Sequence, residues 1–128
     1  MLNVVCAIIY VGNKILVTQR SKNMKLPLKW EFPGGKLETD ESEIECIKRE
    51  LKEELNIEVK VIKRFSNSIH DYDTFQINLI PYVVEYISGE IILAEHTSYK
   101  LLEKSSLNTL DWAEADLPIV KELLNTEI

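Results

Sequence analysis

Three glutamates and one arginine are crowded into six residues of this 128-residue chain. In the segment RELKEE, residues 49–54, Glu50 is followed at spacings of three and four by Glu53 and Glu54. On a helix turning about 100° per residue, the three carboxylates span roughly a quarter of a turn. Like charges at this spacing repel, and no lysine lies three or four residues from Glu50 or Glu54. A solvated helix surface tolerates such a cluster, whereas a bound cation would stabilise it.

The surroundings of the cluster favour the cation. An apolar stripe runs beside the carboxylates and predicts that they lie at the rim of a core; it consists of Ile44, Ile47, Leu51 and Leu55. Pro33, Gly34 and Gly35 predict a turn that brings bare backbone close to the helix. Carboxylate and carbonyl oxygens are the ligands that Mg²⁺ and Mn²⁺ prefer. We therefore expect a site for one of these metals, made by Glu50, Glu53 and Glu54 beside the open carbonyls of the Gly34–Gly35 turn.

The helix that carries these glutamates is predicted over residues 40–55. Asp40 is of a type that caps helices, and Glu43, three positions later, completes a capping-box pattern. Asn56 follows the last residue of the apolar stripe. Asparagine tolerates the left-handed conformation that ends many helices, so the helix is expected to stop there.

Strand patterns lie on both sides of this helix. Residues 3–11 and 14–20 are β-rich segments joined by GNK, which predicts a hairpin, and residues 21–29 are predicted as a loop. The strands predicted after the helix are residues 57–70, 74–87 and 98–103; a loop or short helical turn over 105–111 and a final helix over 116–124 follow. This order predicts an α+β or α/β sandwich with one sheet between helices, in a single domain over residues 1–128.

Composition narrows the class of function. The chain has 15 basic and 21 acidic residues and a net charge of −6, which disfavours binding to a nucleic acid polymer. Cys6 and Cys46 lie in apolar segments and are interpreted as reduced, buried thiols. The first residues read as a strand without a basic leader, and no stretch reaches about 18 apolar residues. We therefore expect a cytoplasmic protein with no membrane partner.

The segment GKLETDESEIECIKRELKEELNI resembles the Nudix box. That box reads Gly, five residues, Glu, seven residues, Arg-Glu, an apolar residue, any residue, Glu-Glu, any residue, Gly and an apolar residue. The positions in register are Gly35, Glu41, Arg49, Glu50, Leu51, Glu53, Glu54 and Ile57. Asn56 replaces the last glycine, a change that asparagine's tolerance of positive φ makes mild. WEFPGG, GEIILAEH and WAEADLPIVKELL also look like parts of MutT-type members.

The resemblance implies an α/β/α sandwich around a mixed sheet. It also implies hydrolysis of a nucleoside diphosphate linked to another group, with Mg²⁺ or Mn²⁺ as cofactor. Carried over by position, the metal ligands are Glu50, Glu53 and Glu54, with a carbonyl of Gly34 or Gly35, and Glu95 as a further ligand or the general base. In MutT-type members, attack at the β-phosphorus releases a nucleoside monophosphate and pyrophosphate.

Two further residues of the box receive roles from the resemblance. Arg49 would orient a glutamate by a charge-assisted hydrogen bond; the alternative is a simple i,i+4 pair with Glu45 or Glu53. Glu41 would hold the loop or a water near the metal, unless it is only an acid of the first helical turn. Either Glu50 or Glu95 would accept the proton of the attacking water.

Substrate contacts are expected from three residues outside the box. Arg20, at the end of the second strand, is placed either on the phosphates or sugar or on the solvated surface. Phe32 would pack on the base or belong to the core. Asp116 would read the base or cap the last helix; an ionised carboxylate only accepts hydrogen bonds and so favours an amino group, as on cytosine. His70 and His96 flank the site and are interpreted as ordinary loop or strand-end residues.

These residues predict a small-molecule nucleotide as substrate. The sequence around Asp116 looks like Nudix members that prefer cytidine nucleotides, so CTP, dCTP or a 5-modified dCTP is expected first and 8-oxo-dGTP second. The alternatives are hydrolysis of ADP-ribose or a dinucleoside polyphosphate, and a module that binds nucleotide without turnover. A monomer or weak homodimer is expected, with residues 98–103 as a possible dimer edge.

Overall fold

A computed structural model describes residues 1–127 of the chain and contains strands, two α-helices and two short 3₁₀ segments. The strands are β1 (Leu2–Val11), β2 (Lys14–Gln19), β3 (Trp30–Glu31), β4 (Gly34–Lys36), β5 (Glu58–Arg64), β6 (Ser68–Tyr72), β7 (Phe75–Ser88) and β8 (Ser98–Leu102). The helices are α1 (Glu43–Leu55) and α2 (Leu117–Leu124), and the 3₁₀ segments are Lys104–Thr109 and Glu114–Asp116. Within residues 1–127 no helix has the length and apolar character needed to cross a membrane.

The strands form one mixed sheet with β1 and β7 at its centre. Its main order is β3-β2-β1-β7-β5, with β4 beside β1, β6 beside β7 and β8 beside β2. β1 runs antiparallel to β2 and parallel to β7, so that Leu2 lies opposite Ile77 and Tyr10 opposite Glu85. The predicted hairpin of the first two strands is confirmed, and Gly12 in its turn has φ +64°.

Alternate residues of β1 enter two different cores, one on each face of the sheet. Val5, Ala7 and Ile9 pack with one face of α1, which contributes Cys46, Ile47, Leu51 and Leu55. Cys6 and Ile8 point to the opposite face, where they meet Trp112, Ile119, Val120 and Leu123. Side chains alternate between the faces of a strand, so a strand covered on both sides is apolar throughout. This arrangement confirms the predicted sandwich with a mixed sheet.

The start of α1 differs from the prediction. Ser42, not Asp40, is the N-cap: its side chain accepts a hydrogen bond from the backbone N–H of Glu45, and the Glu45 carboxylate accepts one from the N–H of Ser42. Asp40 has φ +66°, which suits a turn and not the extended conformation of an N-cap. The predicted end is confirmed, because Asn56 adopts the left-handed conformation with φ 62°.

Three other predictions need correction. Residues 57–70 are not one strand, because β5 and β6 are separate strands that both pair with β7. Gly34 and Gly35 belong to β4 and not to a turn, since they lie opposite Cys6 and Val5 of β1. Ile44 is 43% exposed and does not share the buried face of the helix. The loop over residues 21–29, the helical turn at 104–109 and the last helix are as predicted, with α2 beginning at Leu117.

Candidate active site

Arg49 donates hydrogen bonds to three carboxylates, two on α1 and one just before it. Its Nε and Nη2 donate to the two carboxylate oxygens of Glu41 at 2.6 and 3.0 Å. Its Nη1 donates to Glu50 Oε1 at 2.8 Å and to Glu53 Oε2 at 3.2 Å. The fork of a guanidinium suits this pattern, in which one carboxylate is bound by two bonds. The i,i+4 pair with Glu53 thus exists, but it is one contact of a larger network.

This network changes the ionisation of its members. The hydrogen bond from Arg49 lowers the pKa of Glu41 to about 2. In return, the hydrogen bonds to Glu41 and Glu50 raise the pKa of Arg49. Glu41 precedes the helix and is bound by two nitrogens of Arg49, so its place is better described as a clamp on that arginine than as a first-turn acid.

Glu50 lies against the backbone of Gly35. Its side chain is 12% exposed, and a Cβ atom added to Gly35 would fall 2.1 Å from Glu50 Cδ. A side chain at this position would therefore force the Glu50 carboxylate to shift, which accounts for the glycine. Burial raises the pKa of Glu50, and the hydrogen bond from Arg49 opposes that rise. The expected close approach of bare backbone is therefore present, although the backbone is a strand.

Glu54 is largely buried, and its surroundings disfavour the ionised form of its carboxyl group. Its side chain is 18% exposed, and burial raises its pKa to about 6. The charges of Glu95, Glu50 and Glu31 push the pKa in the same direction, while His96 opposes them. Its Oε2 atom is buried and has no hydrogen-bond partner among the described residues. A buried carboxylate oxygen in this state costs free energy until a partner arrives.

The two remaining carboxylates among the candidate metal ligands, Glu53 and Glu95, are exposed. The Glu53 side chain is 60% exposed and touches Arg49. Glu95 lies in the loop before β8, also exposed, and it is close enough for its charge to raise the pKa of Glu54. Glu95 is thus near the end of α1, because the N–H of the preceding residue, Ala94, donates to the carbonyl of Glu54.

The carboxylates fit a divalent cation without forming a finished cage. Among residues 1–127 no three Asp, Glu, His or Cys side chains converge closely enough to hold a metal ion. The donors present are nevertheless hard oxygens, and Glu50 and Glu54 are largely buried carboxylates of raised pKa. A cation bound here would give Glu54 Oε2 the partner that it lacks. The chemistry of these donors therefore suits the metal that the sequence predicted.

A pocket of about 80 Å³ lies on the other side of the sheet from α1. Phe32, Tyr72, Phe75 and Asp116 form part of its wall, and we call it the Phe32 pocket. Phe32 is buried and its ring centroid is 4.8 Å from that of Trp112, so it serves both the core and the pocket.

Asp116 occupies the N-cap position of α2, but its side chain makes no capping hydrogen bond. Its Oδ2 instead accepts a hydrogen bond of 2.9 Å from the backbone N–H of Phe32. The side chain is buried, and this burial raises the pKa of Asp116 well above its usual value. The residue is thus the N-cap by position, while its carboxyl group lies in the wall of the Phe32 pocket.

Arg20 is already engaged by protein groups. Its Nη1 donates to Glu31 Oε1 at 2.8 Å, and its Nε donates to the carbonyl of Lys25 at 2.5 Å. Glu31 also lines the Phe32 pocket. Arg20 is thus paired with a residue of the pocket wall and is not a free surface residue.

The sequence interpretation missed His96. It lies in a loop as expected, but its side chain is only 2% exposed and is placed between Glu31 and Glu54. Glu31 is 65 positions away along the chain, so no local pattern links the two. The other histidine, His70, is more exposed, and its Nε2 atom lies 3.0 Å from Glu114 Oε2.

Comparisons with known proteins show the family of the chain. A family model of the NUDIX domain matches residues 1–123. The chain is 32% identical over 124 residues to a CTP pyrophosphohydrolase of Escherichia coli K12, covering 97% of this chain and 92% of the relative. It is 30% identical over 112 residues to an 8-oxo-dGTP diphosphatase of the same strain, covering 88% and 87%. A solution structure of MutT, a Nudix hydrolase from methicillin-resistant Staphylococcus aureus 252, is 40% identical with a TM-score of 0.78, covering 97% and 95%.

Proposed function

Because the chain belongs to the Nudix family, we propose that it hydrolyses a ribo- or deoxyribonucleoside triphosphate to the monophosphate and pyrophosphate. The chain is a Nudix hydrolase, a class of enzyme that acts on small-molecule nucleotides and generally uses divalent metal ions. The two relatives of 30–32% identity carry different substrate names. The choice of base therefore depends on the residues of this chain.

A cytidine-type base is our first candidate, and Asp116 is the observation that carries it. The carboxyl group is buried in the wall of the Phe32 pocket and is fixed by the N–H of Phe32. When ionised it only accepts hydrogen bonds, so it selects a base that presents an amino group there. Phe32 supplies an apolar surface beside it for the ring. CTP, dCTP or a 5-modified dCTP meets both requirements.

An oxidised guanine nucleotide, 8-oxo-dGTP, is the second candidate. Burial raises the pKa of Asp116 well above its usual value, which favours the protonated carboxyl group. A protonated carboxyl group donates as well as accepts, and so can pair with a base carbonyl. This state of Asp116 removes the strict requirement for an amino group.

The metal would be Mg²⁺ or Mn²⁺, held by glutamates at the end of α1. We assign it to Glu50, Glu53 and Glu54, together with Glu95 and a carbonyl of Gly34 or Gly35. A bound divalent cation neutralises phosphate charge and lowers the pKa of water. The protein supplies the fixed carboxylates, and Arg49 limits the positions available to Glu50 and Glu53.

The chain's own residues then have three tasks. Glu50, or else Glu95, accepts a proton from the water that attacks the β-phosphorus. A bond from the water oxygen to phosphorus forms, the bond to the oxygen of the α-phosphate breaks, and the nucleoside monophosphate leaves. Arg49 orients Glu50 through its Nη1 atom, and Arg20 lines the approach to the Phe32 pocket beside Glu31.

The test is a panel of nucleotides with Mg²⁺ or Mn²⁺ and products separated by ion-exchange chromatography. We expect monophosphate and pyrophosphate in equal amounts, with the highest kcat/KM for a cytidine-type triphosphate. Glu54→Gln protein purified in the same way is the control for contaminating phosphatases. A clear preference for nucleotide sugars, ADP-ribose or dinucleoside polyphosphates would reject this proposal.

We also propose that the chain acts as a single domain on free nucleotides in the cytoplasm, as a monomer or weak homodimer. The edge strand β8 presents Tyr99 and Leu101, which are 39% and 38% exposed, as the surface where a second copy would pair. Size-exclusion chromatography with light scattering over a range of concentrations measures the oligomeric state directly.

A further inference from the structure

We propose that His96 is a positioning residue that fixes Glu54 for metal binding. Its imidazole lies between two carboxylates that come from distant parts of the chain. Nε2 is 2.8 Å from Glu31 Oε2, and Nδ1 is 3.5 Å from Glu54 Oε2. This inference rests on the proposed function, because it assigns Glu54 to the metal.

The two atoms that face each other across the 3.5 Å gap are both incomplete. Glu54 Oε2 and His96 Nδ1 are buried, and neither has a hydrogen-bond partner among the residues that the structure describes. With Nε2–H donating to Glu31, Nδ1 donates to Glu54 Oε2 when the imidazole carries a proton on both nitrogens, and a small rotation of either side chain then brings the two atoms to the usual distance of about 2.9 Å. A carboxylate oxygen accepts more than one bond, so Oε2 can accept this N–H and still face a cation.

The backbone around His96 is fixed on both sides. The N–H of Ala94 donates to the carbonyl of Glu54 at 3.1 Å, which ties this loop to the end of α1. The N–H of Thr97 donates to the carbonyl of Gln19 at 3.0 Å, which ties it to β2. The imidazole is therefore held next to Glu54 by main-chain bonds and is not a mobile surface group.

Glu54 needs a separate support because Arg49 serves the other two glutamates. Within residues 1–127 the side-chain hydrogen bonds of Arg49 to carboxylates go to Glu41, Glu50 and Glu53. His96 occupies the corresponding place for Glu54, and it connects that carboxylate through Glu31 to Arg20. Carboxylates that bind metals are usually hydrogen-bonded in this way by a second residue.

Two substitutions of His96 test the contacts of its two ring nitrogens one at a time. In His96→Asn the side-chain amide nitrogen can take the place of Nδ1 and face Glu54, but the contact with Glu31 is lost. In His96→Gln the amide nitrogen can take the place of Nε2 and face Glu31, but the contact with Glu54 is lost. Both variants remove the ring and leave a buried amide, so each serves as the other's control for packing.

The measurement is the binding of Mn²⁺ to the nucleotide-free protein by titration calorimetry, with Mn²⁺ electron paramagnetic resonance as a second readout. We expect His96→Gln to raise the Kd for Mn²⁺ about tenfold, the usual effect of losing such a support. His96→Asn should stay near the wild-type Kd, and the lower kcat of His96→Gln should recover at high Mn²⁺. A role in packing alone would lower the melting temperature of both variants without this difference in Kd.

Equal Kd values for Mn²⁺ in wild type and both variants would overturn the role of His96 and leave the proposed function intact. A wild-type protein that does not bind Mn²⁺, with or without nucleotide, would overturn both. If the variants do not fold, ¹⁵N NMR of the imidazole in wild type and in Glu54→Gln decides. We expect the Nδ1 resonance to move when Glu54 is changed, and an unchanged resonance would refute the contact.

Discussion

The carboxylates of α1 and the Phe32 pocket are built in different ways. Arg49, Glu50, Glu53 and Glu54 are neighbours in the chain, and a single helix places them together. The pocket joins residues far apart in sequence: the bond between Phe32 and Asp116 spans 84 positions. The first region depends on local helix geometry, and the second depends on the whole sheet being formed.

Their electrostatics differ as well. On α1 an arginine is shared among several acids, and the solvent reaches part of the group. In the pocket one carboxyl group is buried and has a single backbone N–H as its hydrogen-bond donor. On α1 the positive charge of Arg49 thus stabilises ionised carboxylates. In the pocket, by contrast, burial favours the neutral form of Asp116. The proposed roles follow this difference: charged ligands are assigned to α1 and the base of the nucleotide to the pocket.

The largest effect on kcat is expected from substituting Glu54 and Glu53 of α1, whose side chains differ in burial. Glu54→Gln should lower kcat by about 10²–10³-fold, because a buried carboxylate next to the phosphates acts with little screening from water. Glu53→Gln should lower kcat too, but less, because its side chain is 60% exposed. Steady-state kinetics with Mg²⁺ and circular dichroism of both variants measure activity and folding separately. Near-wild-type turnover in Glu54→Gln would refute the role of α1.

A second prediction uses two adjacent glycines, Gly34 and Gly35, to distinguish an effect on activity from an effect on stability. A Cβ atom in Gly35→Ala would meet the carboxylate of Glu50, which can move, so kcat should fall about tenfold or more with little change in melting temperature. A Cβ atom in Gly34→Ala would fall 1.9 Å from the carbonyl oxygen of Val5, which belongs to β1 and cannot move freely. Its free energy of unfolding should drop by about 1–3 kcal/mol.

Thermal unfolding and kinetics of the two glycine variants, measured side by side, test this expectation. If Gly35→Ala loses stability to the same extent as Gly34→Ala, then Glu50 is not free to yield. The two glycines of β4 would then not differ in their effects on stability and activity.

The smallest effect is expected in the pocket, from Asp116→Asn. The amide oxygen still accepts the N–H of Phe32, but the new NH₂ group does not accept from a base amino group. The kcat/KM ratio of a cytidine nucleotide to a uridine nucleotide should fall by about tenfold, the size expected for the loss of one hydrogen bond. An unchanged ratio would remove Asp116 from base recognition.

The same variant predicts a dependence of stability on pH. The pKa of Asp116 is raised by folding, so the folded state binds the proton more tightly than the unfolded state does. This carboxyl group therefore favours folding below its unfolded pKa, and wild type loses that contribution as the pH rises above about 4. Asp116→Asn lacks the titration, and its melting temperature should exceed that of wild type at pH 7 by more than at pH 4.

The sequence predicted α1 better than the pocket for a physical reason. Helix periodicity and the preference of Asn56 for positive φ are local, and both appear in the structure as expected. The prediction of Asp40 as the cap was wrong, because Ser42 with Glu45 has the same capping pattern and only the backbone of the preceding turn decides between the two. Two overlapping local signals are not distinguished by local rules.

The errors around Gly34 and Gly35 have another origin. Glycine in a sequence commonly indicates a turn, but these two are needed because Val5 and Glu50 leave no space for a side chain. His96 was missed because its partner Glu31 is 65 positions away. Such contacts depend on tertiary packing, which a single sequence does not show.

The parallel pairing of β1 with β7 has a consequence for how the chain folds. Leu2 lies opposite Ile77, so the middle of the sheet forms only after a long loop has closed, at an entropic cost that short-range contacts do not carry. A chain emerging from a ribosome would make α1 well before β1 could pair with β7. The apolar face of β1 would therefore stay exposed during synthesis, a period in which a chaperone or a lower temperature should raise the yield of soluble protein.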